Sequence, residues 1–581
     1  MAGLFGLIRP GKPAHQPMPL MFAAGFPGND VRSHEHMNIT CGLAAEPSFR
    51  DERVLETRDD VTVGFYGFLF QPASERADML FERYRAEGHN FVFNLEGFFS
   101  GFIHDASKKK LYLFTDHLST RPLYYGCDHK TGHLAFSGDA HHAAALLRGT
   151  GTALTLNSEA LTCLLVIGYL YDDQTPVHQI RKILPGTLLE IDLNDFSVTR
   201  SNYFAYQKHP VPERLADCLQ HIDSLLMKSV QKIWDKDIEH GYGHPHTALL
   251  SGGLDSRVNV MLASETGYKP VKTYTLSQTG SRDEIIAKRV SDSCDFQSTY
   301  IALDSGTFLY DNIKTYIAAN DGLVTYNGAA HLYSSVVPEI GKDNGILHTG
   351  QIGDLVFGSL TLRNPSIREK ILKKGYLDEP HLVMPLDVYN RIADRYSTAN
   401  NFERFGYDQH VVNGALNSDR MMHNHVETLS PFYDRKLIEF CYSLPDRLKF
   451  DQAIYIKWMN RYHPRIAGFP WAKTGIRPRN ILITRAAGFL QKVNRHASKR
   501  FGLKYDDMNP FDLWYRDNPE LKMRLMAEYN SHVHRITDAG LREALDYCIR
   551  KDKAQYLMNA VTVVLSVDLY TNQQEPAVFR Q

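Results

Sequence analysis

Residues 247 to 257 read Thr-Ala-Leu-Leu-Ser-Gly-Gly-Leu-Asp-Ser-Arg. Ala248 to Leu250 form an apolar run that reads as the end of a buried strand. Ser251, Gly252 and Gly253 interrupt it, and helical spacing follows from Leu254 to Glu265. A glycine turn between a strand and a helix aims backbone N–H groups and the positive end of the helix dipole at one place, where polyphosphates bind. Ser251 and Ser256 add hydroxyls, and Asp255 adds a carboxylate suited to Mg2+ on the phosphates. No Gly-Lys-Ser/Thr ending is present, so the loop is not that of kinases and GTPases. The loop demands a parallel sheet with its site at the carboxyl ends of the strands.

At 581 residues the chain is too long for one core, and two large domains are expected. Lys+Arg total 65 and Asp+Glu 66, for a net charge of −1, which argues against a nucleic-acid partner and against an anionic-membrane partner. The cysteines Cys41, Cys127, Cys163, Cys218, Cys294, Cys441 and Cys548 are scattered, with no CxxC pair or zinc-ligand spacing. No run reaches membrane-span length, the longest lying around Leu161 to Leu170. Nor does the apolar stretch Met1 to Ile8 follow a basic leader. A soluble cytoplasmic protein with reduced thiols is the expectation.

Short strands dominate the first part: Val61 to Phe70, Phe98 to His104, Lys110 to Phe114, Leu123 to Tyr125 and Thr187 to Asp192. Helices are expected at Ser74 to Glu87 and Ala140 to Leu147, and Tyr206 to Glu213 reads as a linker. Leu215 to Trp234 then forms a long amphipathic helix. Strands at Val271 to Leu276, Ser298 to Leu303 and Gly345 to Thr349, with a helix at Asp283 to Ser293, indicate a parallel sheet. Helical patterns dominate beyond residue 360. His141-His142 and His244-Pro-His246 lack partner ligands at useful spacing and read as loop or surface residues.

His348-Thr349-Gly350-Gln351-Ile352-Gly353-Asp354 follows a strand, and Asp354 lies 99 residues after Asp255. Carboxylates from neighbouring strand ends can share a metal on the phosphates, and charge on a departing pyrophosphate requires such a metal. Downstream lie Leu429-Ser-Pro-Phe-Tyr-Asp434, Lys457 and Lys473.

With these pieces the chain resembles the asparagine synthetase B family over almost its whole length. Ser251 to Ser256 matches the family's Ser-Gly-Gly-Leu-Asp-Ser loop, which resembles the pyrophosphate-binding loop of enzymes that split ATP into AMP and pyrophosphate. Thr349 to Gly358 resembles its Ser-Gly-Glu-Gly-Ala-Asp-Glu segment, Pro431-Phe-Tyr-Asp434 its Pro-Phe-Leu-Asp, and Lys473 falls near its late catalytic lysine. Met1-Ala-Gly-Leu-Phe-Gly6, Leu95-Glu-Gly-Phe-Phe99 and Asp116 to Tyr125 resemble the family's glutaminase domain.

The resemblance implies an α+β, Ntn-hydrolase-like (class II glutaminase-type) sandwich over residues 1–205. An α/β, adenine-nucleotide α-hydrolase-like (ATP pyrophosphatase) domain over 214–581 follows, with a helical C-terminal region. It implies ATP and Mg2+ as cofactors. Leu250, Ser251, Gly252, Gly253, Leu254, Asp255, Ser256 and Gly350 are expected to hold the nucleotide, Asp255 and Asp354 the metal. Lys473 is the candidate for stabilising charge, and Glu284 either shapes the site or offsets a helix dipole. The expected partners are a carboxylate-bearing substrate and an amine or ammonia, with a homodimer as the protein partner.

Three departures matter. The family's glutaminase uses an N-terminal cysteine thiol, and this chain has Ala2 there. Its Asn-Gly-Glu-Ile-Tyr-Asn segment is replaced by Gly64-Phe-Tyr-Gly-Phe-Leu-Phe70. Gln351 and Leu355 replace family acids. The expectation is an ATP-dependent, amide-forming ligase without glutaminase activity. The alternatives are a cyclase of the β-lactam synthetase or lasso-peptide type and a non-catalytic nucleotide-binding scaffold.

Overall fold

The computed structural model describes residues 3–9, 30–45, 47–71, 75–239, 241, 245–340, 345–362, 377, 383–397, 402–501, 503, 505 and 507–572. The N-terminal part is a pair of six-stranded antiparallel sheets. The first runs β10 (Arg181–Lys182), β8 (Tyr124–Asp128), β9 (His133–Ser137), β1 (Gly3–Ile8), β3 (Ile39–Ala45), β2 (Asp30–His36). The second runs β12 (Val198–Asn202), β11 (Thr187–Asp192), β7 (Lys110–Thr115), β6 (Gly97–Asp105), β5 (Val61–Leu69), β4 (Val54–Arg58).

The central strands of both sheets are covered on both faces, which explains why β5 and β6 read as unbroken apolar runs rather than alternating ones, while the edge strands β2 and β12 stay largely exposed. Leu4, Tyr66, Phe102 and Phe136 fill the space between the sheets. Phe65 and Phe99 point the other way, onto Leu80, Phe81 and Tyr84 of α1 (Arg76–Glu87). Phe5 and Ala135 face α2 (Ala140–Arg148) and α3 (Ser158–Ile167). The layers run helix, sheet, sheet, helix.

No helix or strand forms between Asn202 and Leu215, yet Tyr206 is buried there, stacked on Tyr407 at 4.6 Å. The second part opens with α4 (Leu215–Glu239), five residues longer than its apolar periodicity predicts. Beyond Trp234 the buried residues are Lys236 and Asp237, charges paired with partners remote in sequence. A five-stranded parallel sheet follows, ordered β15 (Gln297–Ala302), β14 (Val271–Ser277), β13 (His246–Leu249), β16 (Leu347–His348), β17 (Thr428–Leu429). The chain runs outward from β13 through β14 to β15, then returns to build β16 and β17 on the other side. The carboxyl ends of β13 and β16 flank this reversal, where open α/β sheets leave a crevice.

The histidine expectations are corrected. His141 and His142 are buried in α2, where His141 Nδ1 meets Asp321 Oδ1 at 2.6 Å. His246 begins β13 and is not a surface residue: Asp237 Oδ2 lies 2.8 Å from His246 Nδ1 and 2.9 Å from His348 Nε2. His348 stacks on Trp234 at 3.9 Å, so this triad buttresses the strand beneath Thr349 and Gly350. Asp237, His246 and His348 also lie within ligand distance of one another, a grouping the sequence spacing did not suggest. His244 lies outside the described residues.

Charges cross between the two parts. Glu427, just before β17, is buried and accepts from Arg53 (2.9 Å), Tyr66 (2.9 Å) and Arg121 (2.6 Å). Burial alone would raise the Glu427 carboxyl, yet the Arg121 and Arg53 guanidinium groups hold it down to about 2. In return Lys236 of α4 donates to Glu52 at 2.5 Å. The buried helix Ala554–Thr571 adds a further tie, with Asn559 donating to the Leu165 carbonyl of α3 at 2.8 Å. Among the described residues no helix is long and apolar enough to cross a membrane. All seven cysteines are free.

Candidate active site

The Ser251–Ser256 turn joins β13 to α5 (Asp255–Glu265) and is built from its own side chains. Ser251 N–H donates to Ser256 Oγ at 3.0 Å, and Gly253 N–H donates to Ser251 Oγ at 3.1 Å. Leu250 is tied to β14 by its N–H on Tyr274 O and by Thr275 Oγ1 on its carbonyl. Leu254 is buried and begins α5. The loop is therefore held in one shape, with the N–H groups of Ser251, Gly252 and Gly253 all engaged by protein oxygens.

Gly350 and Gly353 explain how the second loop fits. A Cβ on Gly350 would lie 2.4 Å from the Ser256 nitrogen, and one on Gly353 would lie 2.7 Å from Asp255 Cγ. Only glycine lets the β16 loop rest on the first turn of α5. Between them Ile352 sits at φ 60°, a left-handed conformation that strains a β-branched residue. Ser430 pins this turn by donating to the Gln351 carbonyl at 2.9 Å.

That approach delivers Asp354 to Asp255. The Asp354 N–H donates to Asp255 Oδ2 at 3.0 Å, and Asp255 Oδ1 is buried with no hydrogen-bond partner among the described residues. Burial, followed by the charge of Asp354, pushes the Asp255 carboxyl up to about 8. A buried Asp255 oxygen without a hydrogen bond among the described residues, beside the exposed Asp354, is short of positive charge, and a hard divalent cation supplies what the pair lacks. The residues fit Mg2+.

Lys473 is exposed, 5.2 Å above the Trp471 ring, and its charge reaches Asp255. Arg257 puts it there. This buried guanidinium donates to the carbonyls of Ile466 (3.3 Å), Phe469 (3.1 Å) and Pro470 (2.6 Å), and also to Gly252 O (3.1 Å). Ala472 N–H donates to the same Gly252 carbonyl at 3.0 Å. One residue at the end of the glycine loop thus holds the lysine segment against that loop.

Glu284 is placed differently. Its Oε2 accepts from Gly280 N–H at 2.6 Å while its own N–H donates to Ser281 Oγ, so it caps α6 (Arg282–Cys294). The neighbouring Asp283 is the acid that reaches the loop, accepting from Gly252 N–H at 2.8 Å. Asp283, Arg257 and Tyr455, whose ring lies near enough to Asp255 to perturb its ionisation, escaped the sequence reading. Asp283 and Arg257 stood beside residues already singled out, whereas nothing local marks Tyr455. A cavity of about 660 Å3 opens beside Lys473, lined by Arg282, Lys492, Arg495, Lys499 and Tyr505 among others.

Two family matches coincide with the two parts. Residues 67–204 match the glutamine amidotransferase domain, and residues 222–496 match asparagine synthase. The chain is asparagine-synthetase-B-like. It is a carbon–nitrogen ligase of the ATP-dependent, amide-forming kind, with a mixed α/β architecture and a helical C-terminal region.

No curated protein matches this asparagine-synthetase-B-like chain. Among solved structures it is similar to the glutamine phosphoribosylpyrophosphate amidotransferase from B. subtilis complexed with ADP and GMP. That likeness has 10% identity over 48% of this chain and 67% of the other, with a TM-score of 0.23. A structure of the allosteric regulatory enzyme of purine biosynthesis is similar at 11% identity over 48% and 66%, also with a TM-score of 0.23.

In the amidotransferase domain, Ala2 lies outside the described residues. Tyr66, in the segment where glutamine-holding side chains are expected, spends its hydroxyl on Glu427 of the synthase domain.

Proposed function

We propose that the synthase domain adenylates a carboxylate and passes the acyl group to an amine without glutaminase action in the N-terminal domain. The observation that carries this reading is the pairing of the β13 loop with Asp255 and Asp354, brought to one point by Gly350 and Gly353. ATP lies with its pyrophosphate end at Ser251–Ser256, against the N-terminus of α5. Mg2+ held by Asp255 and Asp354 neutralises phosphate charge when bound.

The substrate carboxylate attacks the α-phosphorus, the bond to the bridging oxygen breaks, and pyrophosphate leaves. The amine then attacks the acyl carbon, AMP departs with its oxygen, and the amine loses a proton. Lys473 stabilises the negative charge that builds in both steps. The loop hydroxyls of Ser251 and Ser256 and the fixed turn orient the phosphates so that little reorganisation is needed. The cationic lining of the adjoining cavity suits a carboxylate-bearing substrate. An adenine-nucleotide α-hydrolase-like fold accords with the strand reversal beside β13.

Loss of the thiol at position 2 and use of Tyr66 as an interdomain anchor support the second half of the proposal. The N-terminal domain then serves to brace β17.

Pyrophosphate release with ATP and Mg2+, scanned across acids and amines, tests the first half. Release at least roughly tenfold above an Asp255→Ala protein with some acid–amine pair is expected, and equal release by both proteins with every pair sinks it. For the second half, glutamate formation from glutamine by the purified chain would overturn the loss of glutaminase action.

A further inference from the structure

Beyond the short helix α7 (Gly353–Val356), the long helix α8 (Ile481–Arg500) presents two unlike faces. Its inner side, with Lys492, Arg495 and Lys499, lines the cavity beside Lys473. Its outer side carries Leu482, Phe489, Val493 and Leu490, and Phe501 continues the stripe. At helical spacing these cover an arc of roughly 120°, a continuous stripe rather than scattered residues. They are 51 to 72% exposed, and the segment from Leu482 to Leu503 holds half of the large exposed hydrophobic side chains among the described residues. Contiguous exposure of this kind marks a docking face.

Charge identifies what covers it. The chain as a whole is nearly neutral, but Gln452 to Tyr505 contains twelve lysines and arginines and no acidic residue. Three of these cations meet acids from outside the stretch: Arg485 with Asp451, Arg495 with Asp507 and Lys499 with Asp512. Lys492 and Arg500 pair with no acid among the described residues. By helical spacing Lys492 flanks the apolar stripe, and Arg500 falls at its end, where a long stem lies along apolar surface with its charge at the rim.

A second copy of the same face would set cation against cation. A nucleic acid would satisfy the cations and leave the apolar stripe wet. A surface with anionic groups above an apolar layer satisfies both, and a helix lying in that plane has this pattern of wide apolar arc and basic border.

We infer that α8 docks this protein on an anionic lipid surface, with Leu482, Phe489, Leu490 and Val493 entering the interface and Lys492 and Arg500 meeting the headgroups. The net charge of −1 argues against such a partner only as an average, because the cations are gathered in one segment. The docked face and the cavity beside Lys473 are adjoining sides of one helix, with Lys492 at their border.

Co-sedimentation of the full chain with vesicles tests this. Binding is expected to phosphatidylcholine vesicles containing about one quarter phosphatidylserine, not to phosphatidylcholine alone, and to fall roughly tenfold between about 0.1 M and about 0.5 M salt. The variant Phe489→Ser/Leu490→Ser is expected to lose roughly tenfold in binding at an unchanged melting temperature, since both side chains are exposed. Lys492→Glu, which keeps the apolar stripe, is expected to weaken binding to the anionic vesicles. Equal binding to both vesicle types overturns the proposal. So does absence of binding to the phosphatidylserine vesicles, and a dimer that Phe489→Ser/Leu490→Ser dissociates would then assign the stripe to a second copy of the chain.

Discussion

Asp354 donates its backbone N–H to Asp255 Oδ2 at 3.0 Å, across 99 residues of chain. One carboxylate oxygen of Asp255 is thereby fixed, and the other, Oδ1, is buried without a hydrogen bond among the described residues. The pair is a charge deficit built in before any ligand binds.

That deficit sets a pH dependence. Asp255 titrates near about 3.9 in an unfolded chain, but is pushed up to about 8 here. Between those values the folded protein keeps a proton that the unfolded chain releases, so stability falls as pH rises through the window and levels off above it. Melting scans without metal are expected to show a falling Tm between pH 5 and 8 (values set roughly by these limits). Asp255→Asn is expected to flatten that slope, raise Tm at pH 8 by about 2 °C or more and abolish pyrophosphate release. A steeper slope in the variant would contradict the assignment.

Arg257→Lys removes a planar donor set that reaches four carbonyls. An ammonium cannot span them, and the loss is expected to be about 2–4 kcal/mol by urea unfolding. Because the Phe469–Lys473 segment is then free to shift, turnover is expected to fall by about tenfold or more. Stability lost with turnover intact would separate Arg257 from Lys473.

Gly350→Ala introduces a Cβ at 2.4 Å from a backbone nitrogen that has no soft neighbour to yield. Pyrophosphate release is expected to fall by roughly a hundredfold as Asp354 is displaced from Asp255. Gly540→Ala, whose new Cβ meets only Asp538 Oδ1 at 3.5 Å, is expected to keep full activity and gain about 0.5 kcal/mol.

Glu427→Gln removes the carboxylate that the buried Arg53 and Arg121 share. Chemical denaturation is expected to report a loss of about 3–5 kcal/mol, and Tyr66→Phe about 1–2 kcal/mol. Since Glu427 is held at about 2, its contribution is present above an unfolded value of about 4.3 and disappears as pH falls toward 2. The residue's own carbonyl accepts from Leu347 N–H at 2.8 Å, so synthase activity is expected to weaken in step with stability.

Much of the architecture was legible because local patterns survive folding. The β13 loop, α5, β14 and α6 lie within a residue or two of where apolar runs and breakers put them. Elements were misread where long-range partners decide. Strand β16 is only Leu347–His348, since pairing with β13 and β17 defines it. The last turn of α4 is polar because Glu52, His246 and His348 wait for Lys236 and Asp237. His141 and His142 looked like surface residues because Asp321, which anchors His141, lies 180 residues away.

By itself the sequence determined the phosphate-facing turn, its serines and Asp255, since a strand, two glycines and a helix N-terminus need only neighbouring residues to form. It also shows Ala2 where the resembled family's glutaminase cysteine is expected. The tertiary structure alone decided which acid stands beside Asp255, that Arg257 carries the lysine segment, and that Glu284 is a cap while Asp283 touches the loop. Those outcomes depend on how β16 returns beside β13. A contact between residues a hundred positions apart is a property of packing, and no local pattern encodes it.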